Sequence, residues 1–181
     1  MHPYTTAVFD RLTSARATLR AAVETIPPQA RGHQPVADRW SVNQVLEHLS
    51  LVESLFTHRI AGAIEKARQE GLGPEQATER APLPANIETI VADRENRRQA
   101  PEAARPQGNL DSDTAWQRIE QARAVLHDTI VAADGLALST VIESHPFFGP
   151  LTVYQFAELI AAHEARHTAQ IRELAAALAT A

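Results

Sequence analysis

The chain is predicted to be an all-α protein, a four-helix bundle, on three observations. Apolar residues recur at steps of three and four along four long segments, the spacing of one helix face. Two segments open on capping-box sequences, and prolines or glycines close them. With only 7 glycines, 5% aromatic residues and many alanines, the composition also leans toward helix over sheet. A length of 181 residues suits one core and is short for two, so residues 1–181 are expected to form a single domain.

The first helix is predicted from about Tyr4 to Ile26, with Val8, Leu12, Ala15, Leu19 and Val23 as its apolar stripe. Pro27 and Pro28 stop it, and a loop containing Gly32 and Pro35 follows. A second helix starts at Ser41, where Ser41 and Gln44 form a capping box, and runs to about Gln69 before Gly71 and Gly73. Between Gly71 and Ser112 lie Pro74, Pro82, Pro84, Pro101 and Pro106. This stretch reads as a long exposed connection with one short helix near Asn86 to Arg98. A third long helix is expected from Thr114 to Ala133, capped by Asp113 and stopped by Gly135. Leu138 to Ile142 reads as extended, and His145-Pro146-Phe147-Phe148-Gly149-Pro150 as a turn. The last helix opens on a second capping box, Thr152 with Gln155, and continues almost to the final residue.

Bulk properties exclude several function classes. The net charge of -5 and a pI of about 5.9 come with no basic run, so neither nucleic acid nor a membrane surface is an expected partner. The absence of cysteine removes disulfides, thiolate metal sites and a cysteine nucleophile. No positively charged segment followed by an apolar run opens the chain, and no stretch approaches the roughly 20 apolar residues of a membrane span. A cytoplasmic protein acting on a small molecule is the expectation.

Chemistry concentrates on histidines. Taking about 100° per residue from Phe156, the residues Leu159, Ile160, Ile171, Leu174 and Leu178 fall within about 60° of it. His163 and His167 fall within about 20° of the centre of that stripe. Two imidazoles one turn apart can share a metal ion, and burying them without partners is costly. The competing reading is two histidines satisfied separately by carbonyls or carboxylates. A third candidate is His48, on the edge of the second helix's stripe of Val45, Leu49, Val52 and Phe56. His127 is a weaker fourth; His58 falls on the opposite face of its helix, and His2 and His33 lie in a tail and a loop. Three neutral histidines would leave positions open to water or substrate, as catalytic rather than structural sites do. Trp40, just before the second helix, is expected to anchor the core rather than touch substrate.

His163-Glu164-Ala165-Arg166-His167 also matches the H-E-x-x-H signature of zinc proteases. That reading fails on its third ligand. Glu173 has the right offset, but Gln170 stands where the turn glycine belongs, and an uninterrupted helix carries Glu173 about 15 Å along the axis from His163. Glu164 is expected to be solvated or to support a ligand rather than serve as a general base.

Three segments resemble the DinB-like (YfiT-like) metalloenzyme superfamily. They are Arg39-Trp40-Ser41-Val42-Asn43-Gln44-Val45-Leu46-Glu47-His48-Leu49, His145-Pro146-Phe147-Phe148-Gly149-Pro150-Leu151-Thr152, and His163-Glu164-Ala165-Arg166-His167-Thr168-Ala169-Gln170-Ile171. The resemblance implies a DinB/YfiT-like up-down-down-up bundle, often a homodimer, with His48, His163 and His167 as metal ligands. It implies a divalent ion, zinc first, with nickel, iron or manganese as alternatives, and a low-molecular-weight thiol as cosubstrate in some relatives. The long proline-rich connection between the second and third long helices departs from the pattern and could cover the site.

Two functions follow. One is a metal-dependent enzyme of the thiol transferase or hydrolase type, with Glu164, His145, Glu47 and Gln44 as candidate acid, base or orienting groups. The other is a non-catalytic, metal-binding stress-response bundle in which the metal is structural. A metal-free bundle with a hydrophobic ligand pocket is a third, minor reading. The mouth of any pocket is expected near His145, Phe147 and Phe148.

Overall fold

The computed structural model describes residues 1–34, 39–96 and 99–179. Local chemistry sets most helix starts. Helix α1 (Pro3–Glu24) begins with proline at its first position, where the missing N–H costs nothing. Helix α2 (Val42–Gln69) opens on the expected capping box: the Gln44 amide donates to Ser41 Oγ at 3.3 Å, and the Ser41 amide donates to Gln44 Oε1 at 2.8 Å. A short helix α3 (Ala85–Ala92) follows and stops earlier than predicted, because Asp93 is already extended; the predicted end, Arg98, lies outside the described residues, as does the loop residue Pro35. Helix α4 (Ser112–Val131) starts two residues earlier than expected. Its cap is Asp111, not Asp113, because Asp111 accepts both the amide and the hydroxyl of Thr114, at 2.8 and 3.0 Å. Helix α5 (Val153–Leu178) opens on the Thr152–Gln155 box.

The extended segment lies later than predicted. Strands β1 (Ile142–His145) and β2 (Gly149–Thr152) form an antiparallel hairpin pairing Ile142 with Thr152 and His145 with Gly149. Gly149, at φ 75°, supplies the left-handed residue of its turn.

Burial divides the core in two, and the division gives the topology. One cluster holds Val8 and Leu12 of α1, Ile60 and Ile64 of α2, Leu126 and Ile130 of α4, and Val153 to Ala161 of α5. The other holds Leu19 and Val23, Val42 to Leu49, Ala115 and Ile119, and Ile171 and Leu174. Helices α1 and α5 therefore run from the first cluster to the second, and α2 and α4 run the other way. Helix α1 packs on α5 and α2 on α4, with α2 also against α5, which makes an up-down-down-up bundle. Because α2 and α4 share a direction, the chain between them must travel back along the bundle. For a 20-residue helix that is about 30 Å, which is why the connection is long.

That connection is not the exposed stretch predicted from its prolines. Leu83, Ile87, Val91 and Ala104 are buried. Buried Glu158 of α5 holds it through Arg80 Nη1 at 2.5 Å and the Leu83 amide at 2.6 Å. Arg166 donates to the Val91 carbonyl at 2.9 Å and to the Asp93 carbonyl, capping the end of α3. Pro74 forms an isolated bridge with Leu136.

Between the two core clusters lies a charged layer. Arg16 of α1, Glu53 of α2, Arg123 of α4 and Glu164 of α5 meet there, one from each long helix. Arg16 Nε donates to Glu164 Oε1 at 2.7 Å and its Nη2 to Glu53 Oε2 at 3.0 Å; Arg123 Nη2 donates to Glu164 Oε2 at 2.6 Å and its Nε to Glu53 Oε1 at 2.5 Å. Two carboxylates and two guanidiniums balance, which is the condition for burying them. Among the described residues, no helix is long and apolar enough to cross a membrane.

Candidate metal centre

The His163–His167 pair and His48 meet across the α2–α5 seam. His163 Nε2 stands 3.4 Å from His48 Nε2 and 3.1 Å from His167 Nε2. One ligand atom from each of the three lies within 4.8 Å of the other two. Two nitrogens bound to one tetrahedral ion at about 2.0–2.1 Å stand about 3.3–3.4 Å apart. These two spacings are close to what one divalent ion asks of its ligands, so the three histidines could hold one.

Hydrogen bonding on the far side of two rings supports the same fit. His48 Nδ1 lies 2.7 Å from the Ala104 carbonyl. A carbonyl only accepts, so the proton sits on Nδ1 and the Nε2 lone pair faces the other histidines. His167 Nδ1 lies 2.8 Å from Gln170 Oε1, which also takes a donation from Arg94 Nη1 at 3.5 Å. With Gln170 accepting, His167 likewise directs a lone pair inward. A single N–H from His163 can satisfy one of these lone pairs and not both. A cation satisfies all three rings.

Electrostatics keep the rings neutral. Burial, then the neighbouring His48, Arg166 and His145, push His163 down to about 3. Burial and the adjacent His163 and His48 push His167 well below the usual imidazole range, and burial lowers His48 against the opposing pull of the Ala104 carbonyl. Neutral imidazole is the form that binds a metal.

The walls come from the chain on either side. Trp40 is half-buried against the second core cluster, as an anchor should be. It also lies over the triad, with its ring 4.7 Å from His48 and 6.4 Å from His167 between centroids. The connection between α2 and α4 supplies the Ala104 carbonyl, so the segment that could cover the site does support it. His48 and His167 are buried, whereas His163 is only partly so, which places the accessible side of the triad at His163.

The remaining candidates divide sharply. Glu164 adjoins His163 in sequence but faces the charged layer, where Arg16 and Arg123 hold both its oxygens. It is neither solvated nor available as an H-E-x-x-H base. Glu173 pairs with Arg94 at 2.7 Å on the surface. Gln44 is committed to the α2 cap and Glu47 accepts from the Gly108 amide at 3.0 Å. His127 is half-exposed and stacks on Phe9, away from the triad. His145 Nδ1 accepts from the Phe147 and Phe148 amides, each at 3.1 Å, so its own proton resides on Nε2. Its ring stacks on Phe148, while Phe147 is 60% exposed. Burial and then Arg59 lower the His145 pKa. A separate groove of about 450 Å³ between α2 and α4 is lined by Ser50, Ser54, His58 and Arg118 among others and contains none of the triad.

Sequence reasoning missed Arg16, Glu53 and Arg123. A signal was present: each member of the layer follows a buried apolar residue by four positions, as Leu12–Arg16, Leu49–Glu53, Ile119–Arg123 and Ile160–Glu164. One charge thus occupies a core-facing place on every long helix, two of each sign.

Known proteins are similar to this chain in sequence or in fold. The uncharacterized protein YuaE of Bacillus subtilis (strain 168) is 28% identical over 142 residues, covering 78% of this chain and 80% of YuaE. The crystal structure of TT2238, a four-helix bundle protein, aligns with a TM-score of 0.58 at 19% identity, covering 95% of this chain and 98% of that one. The likeness to TT2238 shows the fold. The family model of the DinB superfamily matches residues 11–171, nearly the whole bundle, and the chain belongs to that superfamily.

Proposed function

We propose that the protein binds one divalent metal ion on His48, His163 and His167 and is a metal-dependent enzyme of the thiol transferase or hydrolase type. The observation that carries this reading is the convergence of the three Nε2 atoms, two of them with Nδ1 committed to an acceptor. Zinc suits three neutral imidazoles best, with nickel, iron or manganese as alternatives. When bound, such an ion lowers the pKa of a small thiol or water and presents it as a nucleophile.

The protein's own residues do the rest. Ala104 and Gln170 hold two imidazoles in the tautomer that points Nε2 inward. Trp40 shields the buried side of the triad from water, leaving the His163 side for a small substrate. His145 has its proton on Nε2 and is among the groups that bear on His163, so it is the candidate donor toward that substrate. We place the enzyme in the cytoplasm, as a homodimer.

Elemental analysis of protein purified without an affinity tag should find about one divalent ion per chain, and His163→Ala should lose it. A variant that keeps stoichiometric metal would sink the triad assignment. Thiols or azide should alter the visible spectrum of cobalt-substituted protein; a spectrum insensitive to both would leave a structural metal in a non-catalytic bundle.

A further inference from the structure

We propose that Glu47 is a positioning residue for the metal site, acting on His48 through the turn that joins Ala104 to Gly108; this rests on the triad reading above.

Adjacent residues of α2 grip that turn at two points. His48 Nδ1 donates to the Ala104 carbonyl at 2.7 Å, and four residues later the Gly108 amide donates to Glu47 Oε2 at 3.0 Å. Asn43, one turn earlier, donates to the Leu110 carbonyl at 3.1 Å. Only three residues separate the two grips, and one of them is Pro106, itself buried. Proline removes a torsional freedom, so fixing Gly108 also limits where the Ala104 carbonyl can lie.

Two features show that the grip is specific. Glu47 is 2% exposed, and among the described residues no cation pairs with it. A buried carboxylate without a cation is costly to hold, and the amide it accepts belongs to the segment that sets the tautomer of a ligand. Gly108 has φ 80°, and a Cβ there would meet Gln44 Nε2 at 2.9 Å. The turn is therefore built to lie flat against α2. If it lifts, His48 loses its Nδ1 acceptor, and the proton is free to move to the nitrogen that should face the ion.

The test uses the full chain and the variants Glu47→Ala, Glu47→Gln and Gly108→Ala. Nitrogen-15 NMR of metal-free protein reads the His48 tautomer, and competition with a chromophoric chelator reads zinc affinity. Glu47→Ala should mix the His48 tautomers and weaken zinc by about 10- to 100-fold. Glu47→Gln keeps an oxygen that accepts from Gly108 and should resemble the parent in both readouts. Gly108→Ala strains the turn at its φ of 80° and crowds the Gln44 side chain while leaving Glu47 in place; it should reproduce the Glu47→Ala tautomer mixture, which carries the test if Glu47→Ala does not fold. An unmixed tautomer with unchanged zinc affinity in Glu47→Ala overturns the proposal. So does a Glu47→Gln variant as weak as Glu47→Ala, since charge and not the hydrogen bond would then be at work. A parent protein that binds no zinc refutes the triad reading instead, while the tautomer comparison still decides the role of Glu47.

Discussion

Replacing Arg16 with methionine tests whether the charged layer holds the bundle together. The side chain is 9% exposed and donates to Glu164 at 2.7 Å, to Glu53 at 3.0 Å and to the Ile119 carbonyl at 3.2 Å. Methionine fills the space, so the loss is electrostatic: two carboxylates remain buried against one guanidinium. Breaking a buried ion pair on one side costs about 3–5 kcal/mol. At roughly 2–4 °C per kcal/mol for a chain of this size, the melting temperature should fall by about 6–20 °C. Burial already holds the Glu53 carboxyl above its ordinary range, against the pull of Arg123 and Arg16 and with Glu164 pushing the same way, and removing Arg16 raises it further. A carboxyl raised in the folded state has its full stability below its unfolded pKa, and that stability is lost as pH rises through the folded value. The deficit of Arg16→Met relative to the parent should therefore shrink as pH falls toward the ordinary carboxylate range. Urea unfolding followed by circular dichroism in the presence of a chelator measures it. Arg16→Met combined with Glu164→Leu restores charge balance and should recover most of the loss. An Arg16→Met protein within about 1 kcal/mol of the parent at every pH would refute the reasoning.

Two further outcomes concern the triad. His163, held down at about 3, stays neutral in the folded protein while the unfolded chain takes up its proton near 6.5. Stability of the metal-free protein should accordingly fall as pH drops below 6.5, by up to about 1.4 kcal/mol per unit for that one group; His163→Phe should flatten the slope between pH 6.5 and 5, and an unchanged slope would contradict the burial of a neutral ring. Trp40→Ala should lower stability by about 2 kcal/mol, less than for a fully buried tryptophan because the side chain is only partly buried. It should also speed loss of metal to a chelator, whereas a change in stability alone would reduce Trp40 to a core anchor.

What could be read from the sequence was what short-range geometry determines. The Ser41–Gln44 and Thr152–Gln155 boxes involve residues three apart, and both helices begin where those boxes place them. The His163–His167 pair sits on one face because four residues make about one turn. Asp111 and Asp113 both have the chemistry of a cap, and only the structure shows which carboxylate reaches Thr114. The connection reads as exposed because its prolines mask a short apolar repeat, Leu83, Ile87 and Val91, spaced by four. The Ala104 carbonyl could not have been found at all: it is a backbone atom, and no side-chain pattern announces it.

The charged layer also dictates an order of events during synthesis. Arg16 and Glu164 are 148 residues apart, so the layer cannot close until the last helix has left the ribosome. Before that, the first three long helices bring together Arg16, Glu53 and Arg123, two positive charges against one negative. A compact form of those three helices alone would have to bury that excess, which is costly. His163 and His167 arrive on the same helix as Glu164. The charged layer and the cluster of His48, His163 and His167 are thus both completed by the last helix.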